Sequence, residues 1–141
     1  MDAEQQTLDD RKQLAVRALT RADRFLLAVA QEIPGIAQRL RRGEIAEVKL
    51  HLEHLLDGLG SLARLAIDIE RLEESLGRTR PEGFDLGQMA RALRDFVHAQ
   101  EARDWPGSAE VLETRIAPQV PRWRHLFHVR LSSLQSAPST G

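Results

Sequence analysis

The sequence contains no cysteine, and its positive and negative charges almost cancel. The missing thiol excludes disulfides, thiolate metal sites and cysteine nucleophiles. The net charge of −1 argues against a general binder of nucleic acid or of anionic membranes. Apolar runs are also short, and none approaches the roughly 18 residues that a membrane span requires.

What remains is the composition of a folding, soluble chain, with 42% hydrophobic and 29% charged residues in 141 positions. The N-terminal stretch MDAEQQTLDD is acidic and polar, unlike a secretory signal, so we expect a cytoplasmic protein. The length fits one domain, which we assign to residues 1–131. The small polar residues of 132–141 predict a disordered tail.

The strongest pattern in the chain is an apolar stripe inside residues 44–76. Its members are spaced alternately three and four apart, which is typical of a long helix packed against other helices. We therefore predict a central helix over 44–76, around which the other helices pack. The stripe consists of Ile45, Val48, Leu52, Leu55, Leu59, Leu62, Ala66 and Ile69.

A first helix precedes this stripe and ends at Gly43. Thr7 and Thr20 each have an aspartate three residues later, which is a capping signal for a helix start. Pro34-Gly35 falls inside the helical pattern and predicts a kink or a short break. Within the central helix, Gly58 and Gly60 predict close approach of a neighbouring helix.

A third helix is predicted to begin at Asp85, because Asp85 and Gln88 form a capping box and Phe84 with Met89 a hydrophobic staple. Residues 105–107, Trp-Pro-Gly, are interpreted as a turn. The last helix is capped by Asp104 or by Ser108, and its prolines predict that it bends or divides near residue 118. The sum is an all-α protein, an antiparallel four-helix bundle made of two helical hairpins.

The run from Asp104 to Trp123 resembles the closing segment of a family of small bacterial helical proteins of unknown function. The likeness rests on Trp105, Glu110, Glu113, Pro118 and Trp123, and extends over roughly residues 24–127. The layout is also loosely similar to that of the flagellin export chaperones, helical bundles that bind an amphipathic segment of a client. Neither resemblance implies a catalytic residue or a cofactor.

One motif, residues 58–63, matches the glycine fingerprint of dinucleotide binding. The fingerprint functions only where a strand ends and a helix begins, and here helix precedes it. We therefore interpret these glycines as helix-packing positions and expect no cofactor.

Two histidine pairs, His51/His54 and His125/His128, each place two imidazoles on one helix face. They keep open a metal-binding bundle enzyme as the alternative function. The Glu-x-x-His spacing of di-iron bundles is missing, so boundary or surface histidines are the preferred interpretation, with no metal.

The last helix carries four arginines around two aromatic residues. Such a helix can lie on a membrane or seize an acidic partner, although apolar residues at this spacing usually belong to a core. The arginines are Arg115, Arg122, Arg124 and Arg130.

No nucleophile motif or isolated carboxylate pair is present, so we expect a protein that is not an enzyme. Its apolar groove would accept an amphipathic helix from a client or from a second copy of the chain. Because large aromatic residues dominate interface energies, Trp105, Trp123 and Phe127 are the predicted contact residues.

Overall fold

The computed structural model describes residues 2–77 and 85–136, and these residues are helical apart from short connections. Within the described residues there is no strand, so the predicted all-α bundle is confirmed. The helices are α1 (Asp2–Arg41), α2 (Ile45–Ser75), α3 (Leu86–Glu101), α4 (Trp105–Val111) and α5 (Gln119–Ser136), with a π-helical turn at Leu112–Ile116.

The helix with the most neighbours is α1. It lies close to α2, α4, the π-helical turn and α5, whereas the backbone of α2 runs mainly beside α1, and α3 packs on α4 and the π-helical turn. The prediction that the bundle is organised around residues 44–76 was therefore wrong in its choice of helix. The buried stripes of the two helices are about equally long, from Ala15 to Leu40 in α1 and from Val48 to Leu72 in α2, but α1 also lies close to α4, the π-helical turn and α5.

The predicted stripe of α2 is buried as expected. Each of the seven stripe residues from Val48 to Ile69 is at most 6% exposed, and Ile45, the first residue of the stripe, is half-buried. A Cβ at Gly58 would lie 2.0 Å from Cζ of Phe25, so this glycine permits close approach of α1. Nothing lies within 4 Å of a Cβ at Gly60, so the same prediction was wrong there.

Helix α1 continues through Pro34, so the predicted kink or break at Pro34-Gly35 does not divide it. Proline inside a helix costs about 3 kcal/mol. The buried side chains on both sides of Pro34 offset that cost, because Val29, Ile33 and Leu40 are all at most 2% exposed.

The predicted helix starts at Thr7 and Thr20 were also wrong, because α1 begins before both of them. Each threonine hydroxyl donates instead to the carbonyl four residues earlier, at 2.9 Å to Ala3 and at 2.8 Å to Val16. A Thr hydroxyl makes such bonds readily inside a helix, so its presence alone does not mark a start.

The turn between α1 and α2 follows from Gly43, whose φ of 73° is the left-handed conformation that glycine adopts without strain. The Glu44 N–H donates to the Arg39 carbonyl at 3.0 Å, which closes the end of α1. A turn of this length makes α2 antiparallel to α1.

Helix α3 begins as the sequence predicts. The Asp85 side chain accepts a hydrogen bond from the Gln88 backbone N–H at 2.9 Å, and Met89 is buried. Phe84, the other half of the predicted staple, lies outside the described residues, as do the rest of 78–84.

The segment from 105 to 136, here called the C-terminal arm, departs from the predicted turn at Trp105-Pro106-Gly107. Those residues form the first turn of α4, where proline is favoured because its missing N–H has no partner anyway. Asp104 is the cap, since its carboxylate accepts from the Gly107 N–H at 3.0 Å.

The last helix divides near residue 118, which is one of the two predicted outcomes. The arm passes through a π-helical turn, where the Ala117 N–H donates to the Leu112 carbonyl at 2.8 Å, and α5 starts anew at Gln119. The predicted tail over 132–141 was wrong for residues 132–136, which are helical, and Leu134 is 2% exposed. Residues 137–141 lie outside the described chain.

Helix α5 lies antiparallel to α1. Val16 and Leu134 line one groove, while Asp23, seven residues on in α1, meets Arg124 and His128, which lie earlier in α5. The C-terminal arm thus closes the bundle against the first helix of the chain.

Candidate functional site

Two of the three predicted contact residues belong to the hydrophobic core. Trp123 and Phe127 are each 1% exposed, and their rings meet edge to face with centroids 6.0 Å apart. A partner cannot reach them in this conformation, so the structure corrects their assignment to an interface. Their helical spacing serves the packing of α5 on α1.

The third predicted residue, Trp105, is half-buried and lines an open cleft of about 600 Å³ between α2 and the C-terminal end of α3. We call this the α2–α3 cleft. It exists because the α2 backbone approaches α3 closely at few points in the described chain. Its apolar wall consists of Ile45, Leu52, Leu56 and Trp105, and its charged rim of Lys49, Glu53, Glu101 and Arg103.

Arg103 has an unusual backbone conformation at the rim of this cleft. Its φ of 57° makes it the only described residue other than glycine with a positive φ. The Asp104 N–H donates to the Ala99 carbonyl at 2.8 Å, the same closure that Gly43 provides after α1. A side chain held there costs about 1 kcal/mol relative to an unstrained residue.

The rim charges of the cleft are available to an occupant. Within the described chain, Lys49, Glu53, Glu101 and Arg103 form no ion pair with one another or with other residues. The cleft therefore offers apolar contact at its wall and charges of both signs at its edge.

The histidine pairs do not converge. His51 and His54 are exposed on α2, and His125 and His128 are exposed on α5. Among the described residues, no three histidine, aspartate or glutamate side chains come together in a way that could hold a metal ion.

His128 instead joins a polar cluster that ties α5 to α1. Asp23 faces the Arg124 Nε at 2.8 Å and the His128 Nε2 at 2.9 Å. The hydrogen bond from Arg124, and then that from His128, lower the pKa of Asp23, although partial burial opposes them. The same pairing raises the pKa of Arg124.

The cluster predicts an acid-sensitive contribution to stability. Because the folded pKa of Asp23 lies below its unfolded value, its stabilising effect is full above about pH 4. It is lost as the pH falls through the lower folded pKa. We expect Asp23→Asn to lower the free energy of unfolding by about 1 kcal/mol at pH 7 and by less at about pH 3, which is below the unfolded pKa of an aspartate. Urea unfolding at both pH values measures this.

The matched control for Asp23→Asn is Asp57→Asn, because Asp57 is exposed on α2. We expect this control to change stability little at either pH. An equal loss for Asp23→Asn at both pH values would contradict the assignment of its effect to the carboxylate charge.

A second ion pair lies in the interior. The Arg130 Nε is 3.2 Å from the Glu73 Oε1, and the two side chains are only 2% and 4% exposed. Sequence reasoning placed Arg130 on a basic surface and missed this pair. The signal was available, because Trp123, Phe127, Arg130 and Leu134 follow one another at the spacing of a buried stripe.

Other arginines of the C-terminal arm are paired as well. Arg115 forms an ion pair with Asp95, and Arg124 with Asp23. A surface ion pair joins Arg41 to Glu113 across the bundle. The arginines predicted to form a basic helix face thus mainly connect the helices of the protein itself.

The glycine fingerprint at 58–63 lies in the middle of α2, with helix on both sides. The backbone N–H groups there take part in the helix, so they offer no cradle for a pyrophosphate. The interpretation as a packing position is confirmed for Gly58, because any Cβ there would overlap the Phe25 ring.

No helix in the described part of the chain is both long enough and apolar enough to cross a lipid bilayer.

Comparison with known proteins gives one family. No curated protein and no solved structure matches the chain significantly. A family model described as a domain of unknown function (DUF8042) matches residues 17–126, which is most of the chain. The resemblance to a helical family of unknown function is thereby confirmed. The chain belongs to the family of this domain of unknown function, DUF8042.

Proposed function

We propose that this protein is a non-enzymatic adaptor whose α2–α3 cleft binds an amphipathic helix of a partner protein. The loose likeness to flagellin export chaperones suggested this kind of partner, and a cytoplasmic setting fits it. The observation that carries the proposal is the cleft itself, an apolar wall with a half-buried Trp105 and an unpaired charged rim. Grooves of this kind accept helices through residues at i, i+3, i+4 and i+7.

Arg103 gives the occupant a specific chemistry. Glycine would adopt this positive φ without strain, whereas arginine there destabilises the fold locally. Strained residues of this kind cluster at functional sites, so we assign Arg103 a role in binding. Its guanidinium suits a carboxylate, which it can bind through two parallel hydrogen bonds. The proposed occupant therefore carries leucine-type residues on one face and an acidic residue beside them.

The test uses a synthetic helical peptide of leucines at that spacing with flanking glutamates, labelled for fluorescence anisotropy. We expect it to bind the wild-type protein better than a peptide with lysines in place of the glutamates. Leu56→Glu, which puts a charge in the cleft wall, should abolish binding. Leu50→Glu is the matched control on α2, because Leu50 is 62% exposed and lies outside the cleft.

Arg103→Gly separates function from stability. It removes the backbone strain and the guanidinium together. We therefore expect the free energy of unfolding to rise by roughly 1 kcal/mol while peptide binding weakens. Unchanged binding in this variant would contradict the role of Arg103. Dissociation constants above about 1 mM for both peptides, equivalent to roughly 4 kcal/mol of binding, would contradict the proposal as a whole.

A further inference from the structure

A second open groove lies between the N-terminal half of α1 and the C-terminal half of α2, with a volume of about 470 Å³. We call it the α1–α2 groove. Its α1 wall is formed by residues 11, 14, 15 and 18, and its α2 wall by residues 65, 68, 69 and 72, so both walls repeat the same helical spacing. It shares no residue with the α2–α3 cleft.

The apolar part of this groove is incompletely covered. Leu14 is 61% exposed, although leucine is among the residue types most often buried. Ala18 and Leu65 beside it are half-buried, while Ile69 and Leu72 close the floor. The two helices thus expose an apolar surface of the kind that another pair of helices could pack against.

The charges around the groove have opposite signs and are unused. Arg11, Asp68 and Arg71 all line the groove, and none of the three forms an ion pair with a described residue. Asp68 and Arg71 are one helical turn apart on α2. In a two-fold pairing, residue i of one copy meets residue j of the other and the reverse also holds. A face that carries both signs is therefore complementary to itself.

We infer that the α1–α2 groove is the contact surface of a symmetric homodimer, in which Leu14 of each copy enters the groove of the other. The two α1–α2 layers stack as a four-helix packing, the arrangement that helical ridges and grooves favour. Asp68 of one copy pairs with Arg71 of the second. The α2–α3 cleft is not used, so each dimer keeps two free clefts.

Sedimentation equilibrium over a wide range of protein concentration tests the dimer. We expect the wild-type protein to dimerise and Leu14→Glu to raise the dimer dissociation constant at least 100-fold. Leu27→Glu is the matched control, because Leu27 is 42% exposed on α1 and lies outside the groove, and it should leave the constant unchanged. A wild-type protein that stays monomeric at about millimolar concentration, near the weak limit of specific association, overturns the inference.

Charge reversal tests the pairing. Asp68→Arg and Arg71→Asp should each raise the dissociation constant about tenfold, and the double variant should return it to within a few-fold of the wild-type value. A double variant as weak as the single variants overturns the proposed pairing. Because the peptide test addresses the α2–α3 cleft alone, failure of one proposal leaves the other to be judged separately.

Discussion

Glu73→Gln should lower the free energy of unfolding by about 3–5 kcal/mol, because it removes the charge of the buried carboxylate that lies 3.2 Å from the buried Arg130 guanidinium. Arg130→Met should cost a similar amount, because it removes the guanidinium beside the buried Glu73 carboxylate. Removing a charge from water costs free energy, and attraction between the two buried charges offsets that cost only while both are present. Urea unfolding at neutral pH measures both losses.

The double variant Glu73→Met with Arg130→Met is the informative companion. It removes both charges and fills their space with apolar atoms, so we expect it to be near or above wild-type stability. Glu113→Gln is the matched control, because its partner Arg41 and its own side chain are solvent-exposed, and it should cost under about 1 kcal/mol. A loss for Glu73→Gln no greater than this control would contradict the buried pair.

Trp123→Ala should lower the free energy of unfolding by about 3–5 kcal/mol, as expected for a large aromatic residue removed from a packed core. Trp105→Ala should cost less than half as much, because Trp105 is half-buried at the edge of the α2–α3 cleft. Chemical denaturation of the two variants gives the comparison.

Fluorescence gives an independent measure of the same difference. In Trp105→Phe the remaining indole is Trp123, and we expect acrylamide to quench it weakly because it is 1% exposed. In Trp123→Phe the remaining indole is Trp105, which should be quenched more strongly and should respond to the helical peptide. Strong quenching of Trp123 would restore its interpretation as a surface contact residue.

The bundle could be predicted from the sequence because apolar periodicity and helix caps depend only on residues that are close together in the chain. The seam from Val48 to Ile69 repeats at the spacing of one helix face, and Asp85 caps α3 through a residue only three positions later. Both patterns can be recognised without knowing any partner. The division of the last helix near residue 118 likewise follows from prolines that cannot donate a hydrogen bond.

The predictions were wrong at positions where contacts between helices, and not the local sequence, determine the structure. Pro34 does not break α1, because burial on both sides outweighs its local cost. Trp123 and Phe127 were assigned to an interface because large aromatic residues dominate interface energies, but core residues and interface residues of a helix have the same spacing. Which face of a helix meets another helix depends on the whole arrangement.

The candidate site was the least predictable part of the protein. Trp105 was identified, but the cleft beside it results from the separation of α2 and α3, which no local pattern records. Arg103 was missed because nothing in the sequence distinguishes an arginine with a positive φ from any other arginine. The exposure of Leu14 likewise became apparent only in the packed bundle.

The position of α1 at the centre of the bundle has a consequence for biosynthesis. Asp23 meets Arg124 across a sequence separation of 101 residues, so α1 must wait for α5 during synthesis. At roughly 5–20 residues per second, several seconds pass between translation of α2 and translation of α5. During that interval the apolar side of α1 that α5 will cover stays open to solvent. A nascent chain that stops before α5 is therefore a substrate for holding chaperones and for proteases.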